Sequence, residues 1–143
     1  MTPVLIPGSC FSDNRGLLLY NNSFDALAVR RLYVIQNCEI GFVRAWQGHR
    51  IEQRWFSALQ GSVSIRLIAI DNWDNPSRTS EHFAFLLEDK QMNVLHVPPG
   101  YVSSIQSGTE GARLLVMCDY RLGELKDEYR FPVDYFSEQN CAG

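Results

Sequence analysis

The chain has 143 residues and a mass of 16.4 kDa, with 45% hydrophobic, 20% charged and 12% aromatic residues. This composition is typical of a globular protein and excludes a disordered, collagen-like or coiled-coil chain, and the length suits a single hydrophobic core. Thirteen Lys and Arg against sixteen Asp and Glu give a net charge of −3, so the chain has no general positive field for nucleic-acid binding.

The compartment is predicted from the apolar runs and the cysteines. The longest apolar runs are far shorter than the roughly 20 residues of a membrane span. Prolines interrupt the N-terminal apolar residues and no basic region precedes them, so we predict a cytoplasmic protein with no membrane partner. Wide, irregular spacing without a Cys-x-x-Cys pair predicts that the four cysteines are reduced thiols and form no zinc site: Cys10, Cys38, Cys118 and Cys141.

Short β-type segments separated by turn residues dominate the chain, and no helical repeat is sustained. Strands are predicted, in chain order, over residues 29–36, 41–46, 52–59, 62–71, around Phe83 to Leu87, and over 94–97 and 112–118. Gln60-Gly61 is predicted to be a tight hairpin turn, and Pro98-Pro99-Gly100 to end a strand. In the 62–71 segment Val63, Ile65 and Leu67 share one face, and Arg66 points away from it.

About nine strands at this spacing favour an all-β sandwich or barrel. A single domain is predicted over residues 1–143, because no linker or repeat divides the chain. Within it, residues 121–143 are predicted to form a mixed, charged C-terminal extension that packs across the outside.

Residues 41–50 carry the most informative motif. Gly41, five further residues and Gln47-x-His49 resemble the first cupin motif, and Pro98-x-Gly100 resembles the second. The resemblance implies a cupin jelly roll, or double-stranded β-helix. Metal-binding cupins take three His and one Glu from these motifs. Here Gln47 replaces the first His, the Glu position falls near Gln53 or Arg54, and the last His position falls on Ser103, so neither a metal nor another cofactor is expected.

Within the cupins, three stretches resemble the enzymes of dTDP-4-keto-6-deoxyhexoses. Residues 11–17 are similar to an Asp-x-Arg-Gly start, residues 29–35 look like the Arg-x-Tyr strand of the 3,4-ketoisomerases, and residues 44–50 resemble their Arg-Gly-x-His-Ala-His-Lys motif. Residues 129–136 resemble the Tyr- and Phe-rich end of the family. The resemblance implies a homodimeric isomerase of a dTDP-sugar in deoxysugar or cell-surface polysaccharide biosynthesis.

Moving a ketone from C4 to C3 requires one base near neutral pH and a positioned cation for the enediolate. His49 fits the base, with Arg44 and Tyr33 as orienting groups. Residues 44 and 47 differ in parity, so a bulge or turn at Gly48 is expected. The side chains predicted to bind the nucleotide sugar are Arg15, Arg31, Gln47, Arg54, Arg66 and Tyr101.

Two alternatives follow from the departures from the motif. Gln47 stands where both enzyme branches have His, and an amide cannot abstract a proton near neutral pH. A degenerate cupin that binds a sugar nucleotide or a partner protein without catalysis is therefore the first alternative. A relative of the dTDP-4-dehydrorhamnose 3,5-epimerases, with a relocated base, is the second. His82 and His96 lie outside the motif positions and are predicted to be structural or surface residues.

Overall fold

The computed structural model describes residues 1–136 as twelve strands joined by turns, with no helix among these residues. The N-terminal third contains β1 (Val4–Ile6), β2 (Ser9–Asp13), β3 (Gly16–Tyr20) and β4 (Arg31–Ile35). The middle contains β5 (Val43–His49), β6 (Arg54–Gln60), β7 (Ser62–Ala69) and β8 (His82–Glu88). The last four strands are β9 (Val94–Val97), β10 (Tyr101–Ser107), β11 (Arg113–Cys118) and β12 (Tyr129–Arg130).

Ten of these strands form two five-stranded antiparallel sheets that face each other. The first sheet has the order β1-β9-β6-β11-β4, and the second has the order β12-β5-β10-β7-β8. Strands β2 and β3 form a separate hairpin. Because successive strands from β4 to β12 mostly alternate between the sheets, the chain wraps around one core as a jelly roll does. The predicted all-β architecture is confirmed.

The turn at Gln60-Gly61 differs from the prediction. Strand β6 pairs with β9 and β11 in the first sheet, whereas β7 pairs with β8 and β10 in the second. The turn therefore carries the chain from one sheet to the other, and the predicted hairpin is wrong. Gly61 has a φ of +70°, and its N–H donates to Asp89 Oδ2 at 2.7 Å. A short turn between two β runs does not show whether the runs pair with each other.

The core lies between the inner faces of the two sheets. Phe56, Ile65, Leu67, Leu95 and Leu114 are at most 1% exposed there. The predicted alternation in β7 is confirmed, because Ile65 and Leu67 point into this core whereas Arg66 is exposed on the opposite face.

Strand β10 is buried on both faces, which explains why the alternation pattern did not predict it. Its inner face meets the core, and its outer face is covered by the segment that ends at Phe136. That segment follows β12, which pairs with the end of β5, and Phe136 packs on Trp46, Ile68 and Val102. Residues 129–136 thus shield the outer face of the second sheet.

The described cysteines are free thiols, with Cys10 and Cys38 exposed and Cys118 buried. Cys141 lies outside the described residues. No helix in residues 1–136 is long and apolar enough to cross a membrane.

Candidate active site

Three strand ends meet at one end of the barrel and line a cavity of about 310 Å³, which we call the mouth cavity. Arg31 begins β4, Arg54 begins β6, and both are in register with Cys118 of the strand between them. His49 ends β5 in the opposite sheet. Alternation along these strands points all three side chains inward, so two guanidinium groups from one sheet face an imidazole from the other.

Glu52 lies in the connection between β5 and β6 and joins these groups. Its side chain is 6% exposed. Oε2 accepts hydrogen bonds from Arg54 Nε at 3.3 Å and Nη2 at 3.2 Å, and Oε1 accepts one from Arg31 Nη2 at 3.5 Å. The buried carboxylate is therefore compensated by two cations, the condition under which a charge is tolerated inside a protein.

The His49 imidazole faces the same carboxylate. Nδ1 lies 3.3 Å from Glu52 Oε2 and 4.0 Å from Asp127 Oδ2. Burial, followed by the charge of Arg54, lowers the pKa of His49 to about 4, although Asp127 acts in the opposite direction. At neutral pH the ring is uncharged, and an uncharged ring that faces a carboxylate through Nδ1 carries its proton there. Nε2 then presents a lone pair, and it is buried with no hydrogen-bond partner in residues 1–136.

Asp127 fixes the turn that carries Glu52. Its carboxylate accepts hydrogen bonds from the backbone N–H groups of Arg50 at 2.9 Å, Ile51 at 2.9 Å and Glu52 at 2.8 Å. The neighbouring residues Tyr120 to Glu128 supply one wall of the mouth cavity. That residues 121–143 form a C-terminal extension packed on the domain stays a prediction, and residues 121–126 and 128 are exposed on their outer side. Residues 121–128 are mostly charged and show no hydrophobic periodicity, so their sequence does not indicate whether they line a cavity or only face solvent.

Gln47 lines the mouth cavity two residues before His49, on the same face of β5. Its Nε2 donates a hydrogen bond to Glu128 Oε1, which also accepts hydrogen bonds from Arg130 Nε at 3.0 Å and Nη2 at 2.7 Å. The hydrogen bond from Arg130 is the main reason that the pKa of Glu128 is lowered. Where the resembled motif has its first His, this chain thus has Gln47, whose amide donates a hydrogen bond to the ionised Glu128 carboxylate.

The two predicted tyrosines have different surroundings. Tyr33 lines the mouth cavity, and its hydroxyl accepts a hydrogen bond from Arg54 Nη1 at 3.0 Å. Burial raises the pKa of Tyr33, so it keeps its proton at neutral pH. Tyr101 lies deeper, beside His49 and Arg54, and its hydroxyl donates to the carbonyl of Met1 at 2.9 Å. Of these two predicted tyrosines, Tyr33 is therefore the one that lines the mouth cavity.

Arg44 does not reach the mouth cavity, contrary to the prediction. His49 is in register with Tyr101 and Arg44 with Ile105, so Arg44 lies four residues further along β10, about 13 Å away. There its Nε donates to Asn37 Oδ1 at 3.2 Å. The expected bulge exists, but it lies between Arg44 and Gln47, where the register with β10 shifts, and Gly48 is paired regularly.

Arg15 and Arg66 also lie outside the mouth cavity. Arg15 is 83% exposed at the tip of the β2–β3 hairpin, where it pairs with Asp13 at 2.7 Å. Arg66 lies on the outer face of the second sheet, beside a different cavity. Of the predicted arginines, Arg31 and Arg54 reach the mouth cavity.

Sequence reasoning missed three carboxylates of this site, Glu52, Asp127 and Glu128. Glu52 could have been found, because it is an acidic residue next to the position at which the motif has its Glu, near Gln53 or Arg54. Asp127 is 75 residues from the turn that it fixes, and no sequence pattern connects them. Among residues 1–136 no three His, Cys, Asp or Glu side chains are arranged to hold a metal ion. The Glu52 carboxylate is instead bound to guanidinium groups.

The chain matches no family model and no curated protein in sequence, but it resembles solved structures. The 3,4-ketoisomerase of Thermoanaerobacterium thermosaccharolyticum, in complex with TDP-4-keto-6-deoxyglucose, is 24% identical, with a TM-score of 0.71 over 91% of this chain and 88% of that one. The TDP-quinovose 3,4-ketoisomerase of Campylobacter jejuni is 21% identical, with a TM-score of 0.68 over 90% and 92%. A dTDP-4-dehydrorhamnose 3,5-epimerase of Elizabethkingia anophelis is 14% identical, with a TM-score of 0.74 over 96% and 80%. These similarities confirm the predicted cupin jelly roll.

Proposed function

We propose that the protein is an isomerase that moves the ketone of a dTDP-4-keto-6-deoxyhexose from C4 to C3. The observation that carries the proposal is the state of His49, an uncharged imidazole with Nδ1 on a carboxylate and Nε2 without a partner. At neutral pH this imidazole is unprotonated and free to accept a proton, although its lowered pKa makes it a weaker base than an ordinary histidine, and the two guanidinium groups beside it suit a developing enediolate. The substrate class is taken from the solved structures of the same fold, one of which holds TDP-4-keto-6-deoxyglucose.

The reaction begins when His49 Nε2 takes the proton from C3. The electrons of the C3–H bond form a C3=C4 double bond, and the C4 oxygen becomes an enediolate oxygen. A proton then passes from the C3 oxygen to the C4 oxygen. His49 returns its proton to C4, the C3 oxygen becomes the new ketone, and the imidazole is uncharged again, so one base serves both steps.

The charged residues around His49 have separate roles in this scheme. Glu52 and Asp127 stabilise the imidazolium that forms when Nε2 is protonated, as a carboxylate behind a catalytic histidine does. Arg54 and the hydroxyl of Tyr33 are donors for the enediolate. Arg31, whose side chain is 23% exposed, is the more accessible guanidinium and is suited to a phosphate of the nucleotide.

A second candidate is a cupin that binds a sugar nucleotide or a partner protein without turnover. The observation that favours it is Gln47, which holds an amide against Glu128 where the resembled motif has its first His. The cavity and its arginines would serve binding equally well, so the two candidates differ in proton transfer alone.

Proton exchange distinguishes these functions. The protein is incubated with dTDP-4-keto-6-deoxyglucose in heavy water, and proton NMR follows the C3 and C5 signals. Loss of the C3 signal with formation of a 3-keto product supports the ketoisomerase. Loss at both carbons indicates a 3,5-epimerase. An unchanged substrate, together with dTDP binding detected by calorimetry, supports a sugar-nucleotide-binding protein, and failure to bind dTDP counts against the ketoisomerase, the epimerase and the sugar-nucleotide-binding protein.

We also propose that the protein is a homodimer. Apolar side chains are exposed on the β2–β3 hairpin and on edge strand β4: Phe11 53%, Leu17 64%, Leu18 60% and Leu32 65%. Unpaired edge strands and exposed apolar side chains are both common features of protein interfaces. A second copy of the chain would cover them. Cytoplasmic location stays a prediction.

A further inference from the structure

A second cavity, of about 290 Å³, lies on the outer face of the second sheet and is called the outer cavity here. Its walls include Trp46, Arg66, His82, Ser104, Gln106 and Phe136. Because successive residues of a strand point to opposite faces, these side chains lie on the other side of the sheet from Gln47, His49 and Ser103. The outer cavity is therefore separate from the mouth cavity.

His82 is the residue of the outer cavity that indicates a bound ligand. The residue is 3% exposed, and neither ring nitrogen has a hydrogen-bond partner in residues 1–136. A buried polar atom without a partner is unfavourable by about 1 to 3 kcal/mol, so such atoms are uncommon in folded proteins. Burial, and then the charge of Arg66, lowers the pKa of His82, so the ring is uncharged at neutral pH. An uncharged imidazole offers one donor and one acceptor.

The charge of the outer cavity is positive. Among residues 1–136, Arg66 is the one charged residue of the lining, and its side chain makes no hydrogen bond or ion pair with any of them. Beside it, Ser104 and Gln106 add neutral polar groups. An unpaired guanidinium next to neutral donors is complementary to an anion, above all to a planar carboxylate that can accept two parallel hydrogen bonds.

The remaining walls are apolar. Val43, Val133 and the aromatic rings of Trp46 and Phe136 enclose the other part of the outer cavity. A free inorganic ion would leave this surface uncovered, whereas a hydrocarbon or aromatic group would bury it. The volume is at the lower end for small-molecule sites, so the ligand is about the size of a single ring.

We propose that the outer cavity binds a small organic carboxylate with an apolar or aromatic part. The carboxylate pairs with Arg66 and accepts a hydrogen bond from the His82 ring, and the apolar part packs between Trp46 and Phe136. This site is independent of the reaction proposed for the mouth cavity.

The test uses benzoate as the probe, benzamide as its neutral counterpart and inorganic phosphate as an anion without an apolar part. The protein is labelled with 15N at histidine, and NMR follows the ring nitrogens of His49, His82 and His96 during each titration. The signals are assigned with single His→Gln variants. The same titration is repeated on Arg66→Gln and on the control Arg113→Gln. Arg113 is also an exposed arginine, but it begins β11 in the first sheet and does not line the outer cavity.

Benzoate is expected to shift the His82 signals in a saturable way while those of His49 stay in place. Arg66→Gln is expected to weaken this binding at least about tenfold, and Arg113→Gln to leave it unchanged. The proposal is overturned if His82 does not respond, if Arg66→Gln binds benzoate as the unmodified protein does, or if benzamide or phosphate binds as tightly as benzoate. Because the readout is His82, the outcome does not depend on activity at the mouth cavity.

Discussion

His49 Nδ1 and Glu52 Oε2 lie 3.3 Å apart, and the same oxygen accepts two hydrogen bonds from Arg54. One buried carboxylate thus orients a base from the second sheet and a cation from the first. Replacing Glu52 is therefore expected to change both the free energy of unfolding and the proton transfer proposed for His49.

Replacing Glu52 with Gln is expected to lower the free energy of unfolding by about 2 to 4 kcal/mol. The variant leaves Arg54 and Arg31 without the carboxylate that compensates their charge, and a buried charge without its partner is strongly unfavourable. Urea unfolding followed by tryptophan fluorescence measures the change. The control is Glu88→Gln, because Glu88 is 45% exposed and its ion pair with Lys90 is expected to contribute less than about 1 kcal/mol. Equal effects of the two variants would contradict the structure of this cluster.

The pKa of His49 predicts a pH dependence of stability. This pKa is lowered from 6.5 to about 4 in the folded protein. Between these values the unfolded chain binds a proton that the folded chain does not, so stability falls as the pH decreases. The loss from this group is at most about 1.4 kcal/mol for each pH unit below 6.5.

The measurement compares the unfolding free energies of the unmodified protein and of His49→Gln at pH 7 and pH 5. His82 and His96 also have lowered pKa values, so both proteins lose stability in acid. The unmodified protein is expected to lose more, because it alone contains the buried imidazole of His49. An identical loss in both would show that the His49 ring is not held uncharged by the fold.

The arginines of the mouth cavity are expected to determine nucleotide affinity. Replacing Arg31 with Gln removes a charge-assisted contact to a phosphate, worth about 1.5 to 3 kcal/mol, which corresponds to a dTDP affinity about 10- to 150-fold weaker. Arg44→Gln is the matched control, because Arg44 lies at the other end of β5, bound to Asn37. Calorimetric titration with dTDP measures both variants. An equal or larger effect of Arg44→Gln would contradict the assignment of the nucleotide to the mouth cavity.

The proposed dimer is expected to dissociate when charge enters its apolar surface. Sedimentation of the unmodified protein should give twice the chain mass of 16.4 kDa. Leu18→Lys and Leu32→Lys should give the single-chain mass, because a buried ammonium group opposes association. Leu86→Lys is the control, since Leu86 is 59% exposed on β8, a strand of the other sheet. A monomeric unmodified protein would refute the dimer.

Tyr33, His49 and Arg54 were predicted from the motifs of the resembled family, not from strand alternation. The structure brings them into one cavity, because they occupy inward-facing positions of β4, β5 and β6. Arg44 was wrongly assigned to the site for two reasons. Alternation along β5 indicates which face of the sheet a side chain lies on, but not at which end of the barrel it lies. The bulge between Arg44 and Gln47 also changes which face each residue occupies.

Residues that reach the site from outside the regular strands were not predictable in this way. Glu52 sits in a connection, and Asp127 and Glu128 arrive from a segment that is distant in the chain and has no hydrophobic period. The β2–β3 hairpin was missed for a related reason. All of its residues except Leu19 are exposed, so it has no in-and-out alternation from which a strand could be predicted.

The most direct test of the central claim is the rate of deuterium incorporation at C3 of dTDP-4-keto-6-deoxyglucose, measured for the unmodified protein and for His49→Asn. If His49 Nε2 is the base, the unmodified protein incorporates deuterium at C3 and His49→Asn loses this rate by about 100-fold or more while still binding dTDP. Undiminished exchange in His49→Asn would show that another group moves the proton. No exchange in the unmodified protein would exclude the isomerase on this substrate.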